Sequence, residues 1–329
     1  MGFNLVTKMN ILIIAPAFYG YHIEIQKSLS RFYEKVFLFP ELPTKTISHY
    51  YFIEKISSKI ACFLWDKYED KIVNTINNNS IDTVFIIRGY KLRESLFNKI
   101  LSSNPNINFI NYQWDSLRNN PNSVMISRYS KKNFSFDRID TINNPLYKYI
   151  PLFYINDKIN YDNSIYTKTE SYDFLVVASW NRYREDLLSK FEKENPEYSY
   201  FIHLYVPKEA IIKRRISIKE LFKKGRHLYK LPAKVYFSKL LKTRVVIDIP
   251  SPTQNGLSIR TIEALRLNKK IITTNGAIKD EKIFDPNNIL IWKDKEVPPI
   301  ADFLNQPFNK TVFGELLSVD KWLELILMD

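Results

Sequence analysis

Residues 10–33 read NILIIAPAFYGYHIEIQKSLSRFY, and this stretch decides the type of fold. Asn10 to Ala15 is a nearly continuous apolar run, which is typical of a strand buried on both faces of a parallel sheet. The loop from Pro16 to Tyr21 follows, and apolar residues then recur with helical spacing from Ile23 to Tyr33. The stretch therefore predicts a strand, a loop and a helix, which is the repeating unit of α/β proteins.

The same alternation continues through the chain. In the first half it predicts strands at 35–40, 83–88 and 108–112 and helices at 52–77 and 92–102. The polar segment 156–171 interrupts it and predicts a linker. Strands at 172–179, 198–206, 245–249 and 270–274, with helices at 184–194 and 258–267, form a second series. We therefore expect two domains, residues 1–155 and 172–329, which suits a chain of 329 residues.

The composition excludes several classes of protein. With one cysteine, four histidines and no His-Glu-x-x-His motif, the chain is expected to have neither an intramolecular disulfide nor a dedicated transition-metal site. Polar residues interrupt every apolar run before the roughly 18 residues of a membrane-spanning helix, and the first residues do not look like an export signal. These features predict a cytoplasmic protein that meets a membrane, if at all, only at its surface.

The net charge of +13 is concentrated in the segment 208–244, which carries thirteen Lys or Arg residues against Glu209 and Glu220. Interleaved apolar residues have an approximately helical spacing, which predicts an apolar stripe beneath a basic face. Three interpretations remain open: a core-packed helix with a solvated face, a surface for an anionic membrane, and a surface for nucleic acid. No recognised nucleic-acid-binding motif accompanies the charge, so nucleic acid is the weakest of the three. The interleaved residues are Ile211, Ile212, Ile218, Leu221, Phe222, Leu228 and Tyr229.

The segment 250–265, PSPTQNGLSIRTIEAL, joins a predicted strand end to a predicted helix start. Ligands of open parallel sheets bind at such strand ends. Gly256 is able to adopt a positive φ, which would bring the N–H groups of the next three residues to an anion. Arg260 adds a cation, and Glu263 is placed to accept hydrogen bonds from a ribose. The segment predicts a phosphate cradle, and the alternative is an ordinary helix capped by Ser258.

Several pieces of the chain, taken in order, also resemble one family. Residues 256–265, 268–275 and 284–289 resemble the donor-binding half of bacterial GT-B glycosyltransferases of the lipopolysaccharide and capsule biosynthesis group. The likeness covers most of the chain, because four pieces of the first half resemble the same group. They are IRGY (87–90), YQWDS (112–116), SFDRID (135–140) and PLFY (151–154).

The resemblance implies two Rossmann-like α/β domains facing across a cleft, with the C-terminal helix packing back on the first domain. It implies transfer of a sugar from a nucleotide-sugar donor, held by the C-terminal domain, to a surface-polysaccharide or lipid-linked glycan acceptor. No metal is implied as a cofactor, and no Asp-x-Asp triplet occurs in the chain. The expected donor-site residues are Ser179, Arg182, Arg184, Asn255, Gly256, Leu257, Ser258, Arg260, Thr261 and Glu263.

One departure from the family pattern concerns the sugar contact. Many retaining members carry two glutamates seven residues apart in this loop and helix, whereas here Gly256 stands seven residues before Glu263. The stereochemical course is therefore left open, with Gln254 or Asn255 as neutral hydrogen-bonding substitutes.

Two residues of the first half are candidate catalytic groups. Asp115 follows the strand 108–112 beside Trp114, where partial desolvation would raise its pKa toward that of a general base. A helix or turn cap is the alternative role for Asp115. His22 follows the loop after the first strand, and its alternatives are a helix cap or a core hydrogen bond.

The sequence thus predicts a glycosyltransferase, and two other classes remain as alternatives. A sugar-nucleotide isomerase or epimerase would share the two α/β domains and the diphosphate site. A noncatalytic basic protein that binds membranes or nucleic acid would instead show steeply salt-dependent binding to polyanions. The nucleotide base, the sugar, the acceptor and the linkage are not predicted, because a fold does not specify them.

Overall fold

The computed structural model describes residues 9–44, 47–155, 171–213, 215–293, 296 and 299–328. The chain divides into two compact units, one of residues 1–151 with 319–329 and the other of residues 152–318. Each unit contains a six-stranded sheet in which every pair of neighbouring strands is parallel. The α/β architecture predicted from the alternation is therefore confirmed for both halves.

The sheet of the first unit has the strand order β2-β1-β3-β4-β5-β6. The order reverses between β1 and β3, so a topological switch point lies there. Its strands are β1 (Asn10–Ala15), β2 (Val36–Pro40), β3 (Ile81–Ile87), β4 (Asn108–Gln113), β5 (Lys132–Ser135) and β6 (Lys148–Tyr149). Its helices are α1 (Tyr21–Leu29), α2 (Ile47–Ile56), α3 (Ser58–Asn78), α4 (Glu94–Ser103), α5 (Asn122–Tyr129) and α6 (Arg138–Asn143).

The sheet of the second unit has the order β10-β9-β8-β11-β12-β13, with its switch point between β8 and β11. Two short strands, β7 (Phe153–Tyr154) and β14 (Leu317–Ser318), form a separate parallel pair. The sheet strands are β8 (Tyr172–Ser179), β9 (Tyr200–Tyr205), β10 (Arg226–His227), β11 (Thr243–Asp248), β12 (Lys270–Thr273) and β13 (Ile289–Ile291). The helices are α7 (Arg182–Glu194), α8 (Lys208–Ile212), α9 (Ile218–Leu221), α10 (Ala233–Leu241), α11 (Ile259–Arg266) and α12 (Ile300–Asn305).

The last helix, α13 (Val319–Met328), packs against α1 of the first unit. Its Trp322 is fully buried and meets the ring of Tyr112 edge to face, with ring centroids 4.7 Å apart. Asp320 forms hydrogen bonds with Ser28 and Arg31 of the first unit. The C-terminal helix therefore packs back on the first domain as predicted, so the first unit includes residues that the predicted domain 172–329 assigns to the second.

Three details differ from the expectations. The predicted helix 52–77 is two helices, α2 and α3, because Ser57 lies between them in extended conformation and caps α3. Residues 152–155 belong to the second unit, since β7 pairs with β14. The predicted linker 156–171 lies outside the described residues except for Ser171.

The basic segment 208–244 is not one amphipathic helix, which corrects the interpretation of its spacing. It folds as α8, α9, the edge strand β10 and α10. Ser217 begins α9 with a capping box to Glu220, and Gly225 then takes a φ of 84°. The left-handed backbone at Gly225 is incompatible with a continuous helix, and a side chain there would meet Ile202 at 2.9 Å, so the position requires glycine.

Candidate functional site

The switch point of the second unit holds a buried carboxylate that the sequence analysis did not single out. Asp248, the last residue of β11, is 3% exposed. It accepts hydrogen bonds from the hydroxyls of Ser258 (2.7 Å) and Thr261 (3.0 Å) and from the Arg260 guanidinium (3.1 Å). Burial raises its pKa, but the Arg260 charge and these hydrogen bonds outweigh burial and lower it. Asp248 is therefore an ionised anchor for the start of α11.

A second guanidinium lies at the same switch point. Arg184, in the first turn of α7, donates to the carbonyls of Ile249 (2.6 Å) and Ser179 (2.7 Å). Burial and, to a smaller extent, repulsion by Arg260 lower its pKa to about 10, whereas the negative charge of Asp248 acts to raise it. Arg260 alone is ion-paired with Asp248, and among the described residues no carboxylate makes an ion pair with Arg184, so the Arg184 charge is available to an anion. Such an arrangement favours an anionic ligand.

The sequence leaves two roles open for the start of α11, an ordinary capped helix and a set of N–H groups for an anion, and the structure has features of both. Ser258 is the helix cap, since its side chain accepts from the Thr261 N–H at 3.3 Å. Among the described residues, the N–H groups of Leu257 and Ile259 have no hydrogen-bond acceptor, so they are available to an anion. The expected positive φ of Gly256 is wrong, because the described glycines with positive φ are Gly20, Gly89 and Gly225.

The other residues predicted at the donor have different surroundings. Glu263 is 1% exposed and accepts a hydrogen bond from the Tyr236 hydroxyl at 3.2 Å, so its ribose contact stays a prediction. The Asn255 carbonyl accepts from the Asn275 side chain at 2.7 Å, which fixes the loop. Arg182 lies outside the cluster, since its guanidinium is bonded to Glu220 and to the Arg215 carbonyl. Arg182 and Arg184 are both predicted at the donor site, and of these two the structure places Arg184 beside Arg260.

The switch point of the first unit contains the opposite arrangement. Arg88 directly follows β3, and its guanidinium makes a two-pronged ion pair with Glu41, which directly follows β2. The same guanidinium lies 3.4 Å from the carboxylate of Asp115, just past β4. Two carboxylates therefore share one guanidinium at the carboxyl end of this sheet.

Partial burial sets the acidity of this first-unit cluster. It raises the pKa of Asp115, while the Arg88 charge and hydrogen bond act against the rise. Burial likewise raises the pKa of Glu41, against the opposing effect of Arg88. Asp115 keeps 38% of its side chain exposed, whereas the side chain of Glu41 is 5% exposed. Asp115 is therefore the more accessible carboxylate of the pair.

The backbone around this cluster is unusual. Tyr19, Arg88 and Lys91 have φ values of 46°, 67° and 61°, a region that residues with side chains rarely adopt. Gln113 and Asn120 hold the Arg88 carbonyl with hydrogen bonds of 3.0 and 2.6 Å. Backbone strain of this kind concentrates at functional sites, because surrounding contacts must maintain it.

His22 lies in the first turn of α1, after the loop that follows β1. That loop approaches the one bearing Asp115, since the rings of Phe18 and Trp114 lie 6.5 Å apart. Phe18 is 38% exposed, so an aromatic surface borders the carboxylate. The catalytic roles of His22 and Asp115 stay predictions.

Among the described residues, no group of three or more His, Cys, Asp and Glu side chains is arranged to hold a metal ion. Within the same part of the chain, no helix combines the length and the apolar character that a membrane crossing requires.

The chain matches no protein-family model and no curated protein. Solved structures match it over nearly its whole length at low identity. The N-terminal domain of trehalose-6-phosphate phosphatase from Candida albicans is 9% identical, with 100% of this chain and 98% of that chain covered and a TM-score of 0.63. The UDP-GlcNAc 2-epimerase of Methanocaldococcus jannaschii, in complex with UDP-GlcNAc and UDP, is 12% identical, with 98% and 100% covered and a TM-score of 0.53.

A third similar structure is AviGT4, a glycosyltransferase involved in avilamycin A biosynthesis, at 9% identity. The match covers 97% of this chain and 92% of that chain, with a TM-score of 0.53. At these identities the likeness shows the fold and nothing finer. It confirms the predicted class, α/β with the parallel sheets of GT-B proteins.

Proposed function

We propose that the chain is a glycosyltransferase that moves a sugar from a nucleotide-sugar donor to a glycan acceptor. The observation that carries the proposal is the pair of guanidiniums, Arg184 and Arg260, at a topological switch point, of which Arg260 alone is ion-paired with the buried carboxylate of Asp248. A diphosphate carries the charge that this cluster lacks, and the nearby N–H groups of Leu257 and Ile259 are suited to its oxygens.

In this proposal, the second unit stabilises the nucleoside diphosphate as it leaves the sugar. Negative charge grows on the bridging oxygen during transfer, and the fixed guanidiniums and helix-start N–H groups stabilise that charge without moving. No metal is required for this step, because the protein itself supplies the positive charge. The similar structures include the glycosyltransferase AviGT4 and a UDP-forming trehalose-phosphate synthase, and such activities are of the proposed kind.

Asp115 is the proposed general base. A carboxylate whose pKa is raised holds a proton better at neutral pH than an ordinary aspartate does, which suits it to accept the proton of an acceptor hydroxyl. An inverting course requires such a base, so the proposal favours inversion. His22, in the first turn of α1, is the alternative base.

The remaining parts of the proposal concern the acceptor glycan and the place in the cell where the enzyme acts. We infer a surface polysaccharide or a lipid-linked glycan of the lipopolysaccharide, O-antigen or capsule kind as the acceptor. The enzyme would then act in the cytoplasm, at the inner face of the membrane, with the basic segment 208–244 toward the anionic lipid. The sequence resemblance and the charge of that segment support these parts.

The first test is the thermal stabilisation of the purified chain by UDP, GDP, CMP, ADP and TDP, each with EDTA and with Mg²⁺. A ligand that binds the folded state raises the unfolding temperature by mass action. We expect one of these nucleotides to stabilise the protein equally with EDTA and with Mg²⁺. Lack of a shift with all five would contradict the donor site.

A sugar-nucleotide epimerase is the second candidate, because four of the similar structures are UDP-GlcNAc 2-epimerases. The two activities separate when the chain is incubated with the nucleotide sugar alone. An epimerase converts the donor sugar to its isomer without an acceptor, whereas a glycosyltransferase needs the acceptor for turnover. Isomer formation without an acceptor would therefore replace the proposed transfer by epimerisation.

A further inference from the structure

The second unit exposes a set of large apolar side chains within the basic segment. Ile212, Ile218, Phe222, Leu228 and Tyr229 are each between 60% and 83% exposed. They lie on α8, α9 and the residues that follow α9 and β10, and α9 packs against β10 at the edge of the sheet. We call this surface the 212–229 edge. Large apolar side chains are seldom exposed in such number within 18 residues of a folded domain, and exposed apolar surface can mark an interaction site.

Ion pairs hold the 212–229 edge in place. Arg226 is buried and makes two hydrogen bonds of 3.0 and 2.7 Å with Glu185 of α7. Lys223 reaches Glu192 of the same helix at 3.2 Å. Arg182 bonds both Glu220 and the Arg215 carbonyl. The exposed apolar side chains therefore project from a fixed scaffold.

The remaining basic side chains of the region point to solvent. Glu220 is already paired with Arg182, so it does not neutralise them. The exposed cations are Lys208, Lys213, Arg215, Lys219, Lys224, Lys230 and Lys234. The 212–229 edge thus combines apolar side chains with a surrounding excess of positive charge.

We propose that the 212–229 edge docks on an anionic lipid bilayer. Lys and Arg side chains are attracted to the negative potential of acidic headgroups, and Ile, Leu and Phe side chains gain from burial at the acyl boundary. A nucleic acid would use the same charges and would stack on Phe222 and Tyr229, but three of the five exposed apolar side chains are aliphatic and offer its bases no stacking surface. This pairing of charge with aliphatic exposure selects the bilayer. The docking does not depend on sugar transfer.

The test is sedimentation of the full chain with phosphatidylglycerol vesicles and with phosphatidylcholine vesicles. We expect binding to the anionic vesicles that weakens with added salt, and little binding to the neutral ones. The double variant I218S/F222S removes two exposed apolar groups, and binding should fall by about tenfold or more. The variant K219Q/K224Q should also bind more weakly and show a shallower salt dependence.

The matched control is I142S/L146S, which removes two apolar side chains of similar exposure, 69% and 63%, from the first unit. It should bind vesicles as the unaltered chain does. The proposal is overturned if the unaltered chain ignores anionic vesicles, if I218S/F222S binds as well as the control, or if a single-stranded RNA binds more tightly than the vesicles and is insensitive to I218S/F222S. Nucleotide-induced thermal stabilisation should persist in all variants, so a failure of docking and a failure of the donor site are distinguishable.

Discussion

The two switch points of this molecule carry charge clusters of different composition, one with two carboxylates around an arginine and one with two arginines beside a carboxylate. In the first unit, Glu41 and Asp115 share the guanidinium of Arg88. In the second unit, Arg260 is ion-paired with the carboxylate of Asp248, and the Arg184 guanidinium beside them donates to two backbone carbonyls. Both clusters lie at the carboxyl ends of parallel strands, where the strand order reverses.

The comparison shows that the position of a site and the charge of that site are determined by different residues. The parallel sheet fixes where loops converge, and the residues just past each strand then fix the sign of the local field. The acidic cluster is suited to accepting a proton, and the basic cluster is suited to holding an anion. Four variants test this division of labour.

The largest effect is expected for Asp115→Asn. An amide cannot accept a proton, so kcat should fall by about 10²–10⁴-fold while nucleotide affinity stays unchanged. Asp82→Asn is the matched control, because Asp82 lies in β3 near the opposite, amino end of the strand. Steady-state kinetics with a donor and acceptor pair would measure the effect. Retained turnover in Asp115→Asn would make the acidic cluster purely structural.

Removal of the shared cation of the acidic cluster should destabilise the fold. Arg88→Met leaves Glu41, 3% exposed, without its ion-pair partner, and breaking a buried pair from one side costs about 3–5 kcal/mol. Urea unfolding would give the free energy of unfolding. The double variant with Glu41→Gln should recover part of the loss, since no charge is then left buried. Equal stability of Arg88→Met and the unaltered chain would contradict the description of this pair.

On the basic side, Arg184→Met should weaken nucleotide binding by about 10- to 100-fold, because charged hydrogen bonds contribute about 1.5–3 kcal/mol. Arg182→Met is the matched control, two residues away on the same helix, with its guanidinium turned to Glu220. Isothermal titration would compare the two. If both variants lost affinity equally, the effect would come from net charge and not from the switch point.

The smallest expected effect is on how the free energy of unfolding changes with pH, and its sign should differ between Asp115 and Asp248. Folding raises the pKa of Asp115 above its ordinary 3.8, so its ionisation lowers stability as the pH rises from that value through the raised pKa. Folding lowers the pKa of Asp248, so its contribution is present above 3.8 and is lost as the pH falls through the lowered pKa.

With rising pH, the free energy of unfolding of Asp115→Asn should therefore increase relative to the unaltered chain, and that of Asp248→Asn should decrease. Urea unfolding of both variants across the acidic range would measure the two trends. Trends of the same sign would show that the two carboxylates occupy similar environments after all.

The sequence predicts the sheets well and the clusters only in part. Apolar runs such as 10–15 determine buried strands locally, so their positions are confirmed to within two residues at most ends. Arg260 is predicted from the sequence because it lies at a helix start that follows a glycine-containing loop with a pattern of its own. Arg88 and Glu41 were missed because their pairing spans 47 residues and depends on strand order. Asp248 did leave a signal, since it is a lone acid within the apolar run 245–249.

The basic segment 208–244 shows where the spacing of apolar residues leads to a wrong prediction. Spacing alone suggests one helix over 208–244, but spacing does not register the capping box at Ser217 or the close approach of Ile202 to Gly225. The spacing consequently assigns Ile218 and Phe222 to an apolar stripe, and only the structure shows that both side chains are exposed to solvent.

The return of α13 to the first unit has a consequence for biosynthesis. The second unit is, in chain order, an insertion between residue 151 and Val319, so the first unit lacks α13 until residues 319–328 have been synthesised. Until then Tyr112 and Phe85 lack the fully buried ring of Trp322 against which they pack. On the ribosome, the core of the first unit is therefore completed only after the whole second unit has been synthesised.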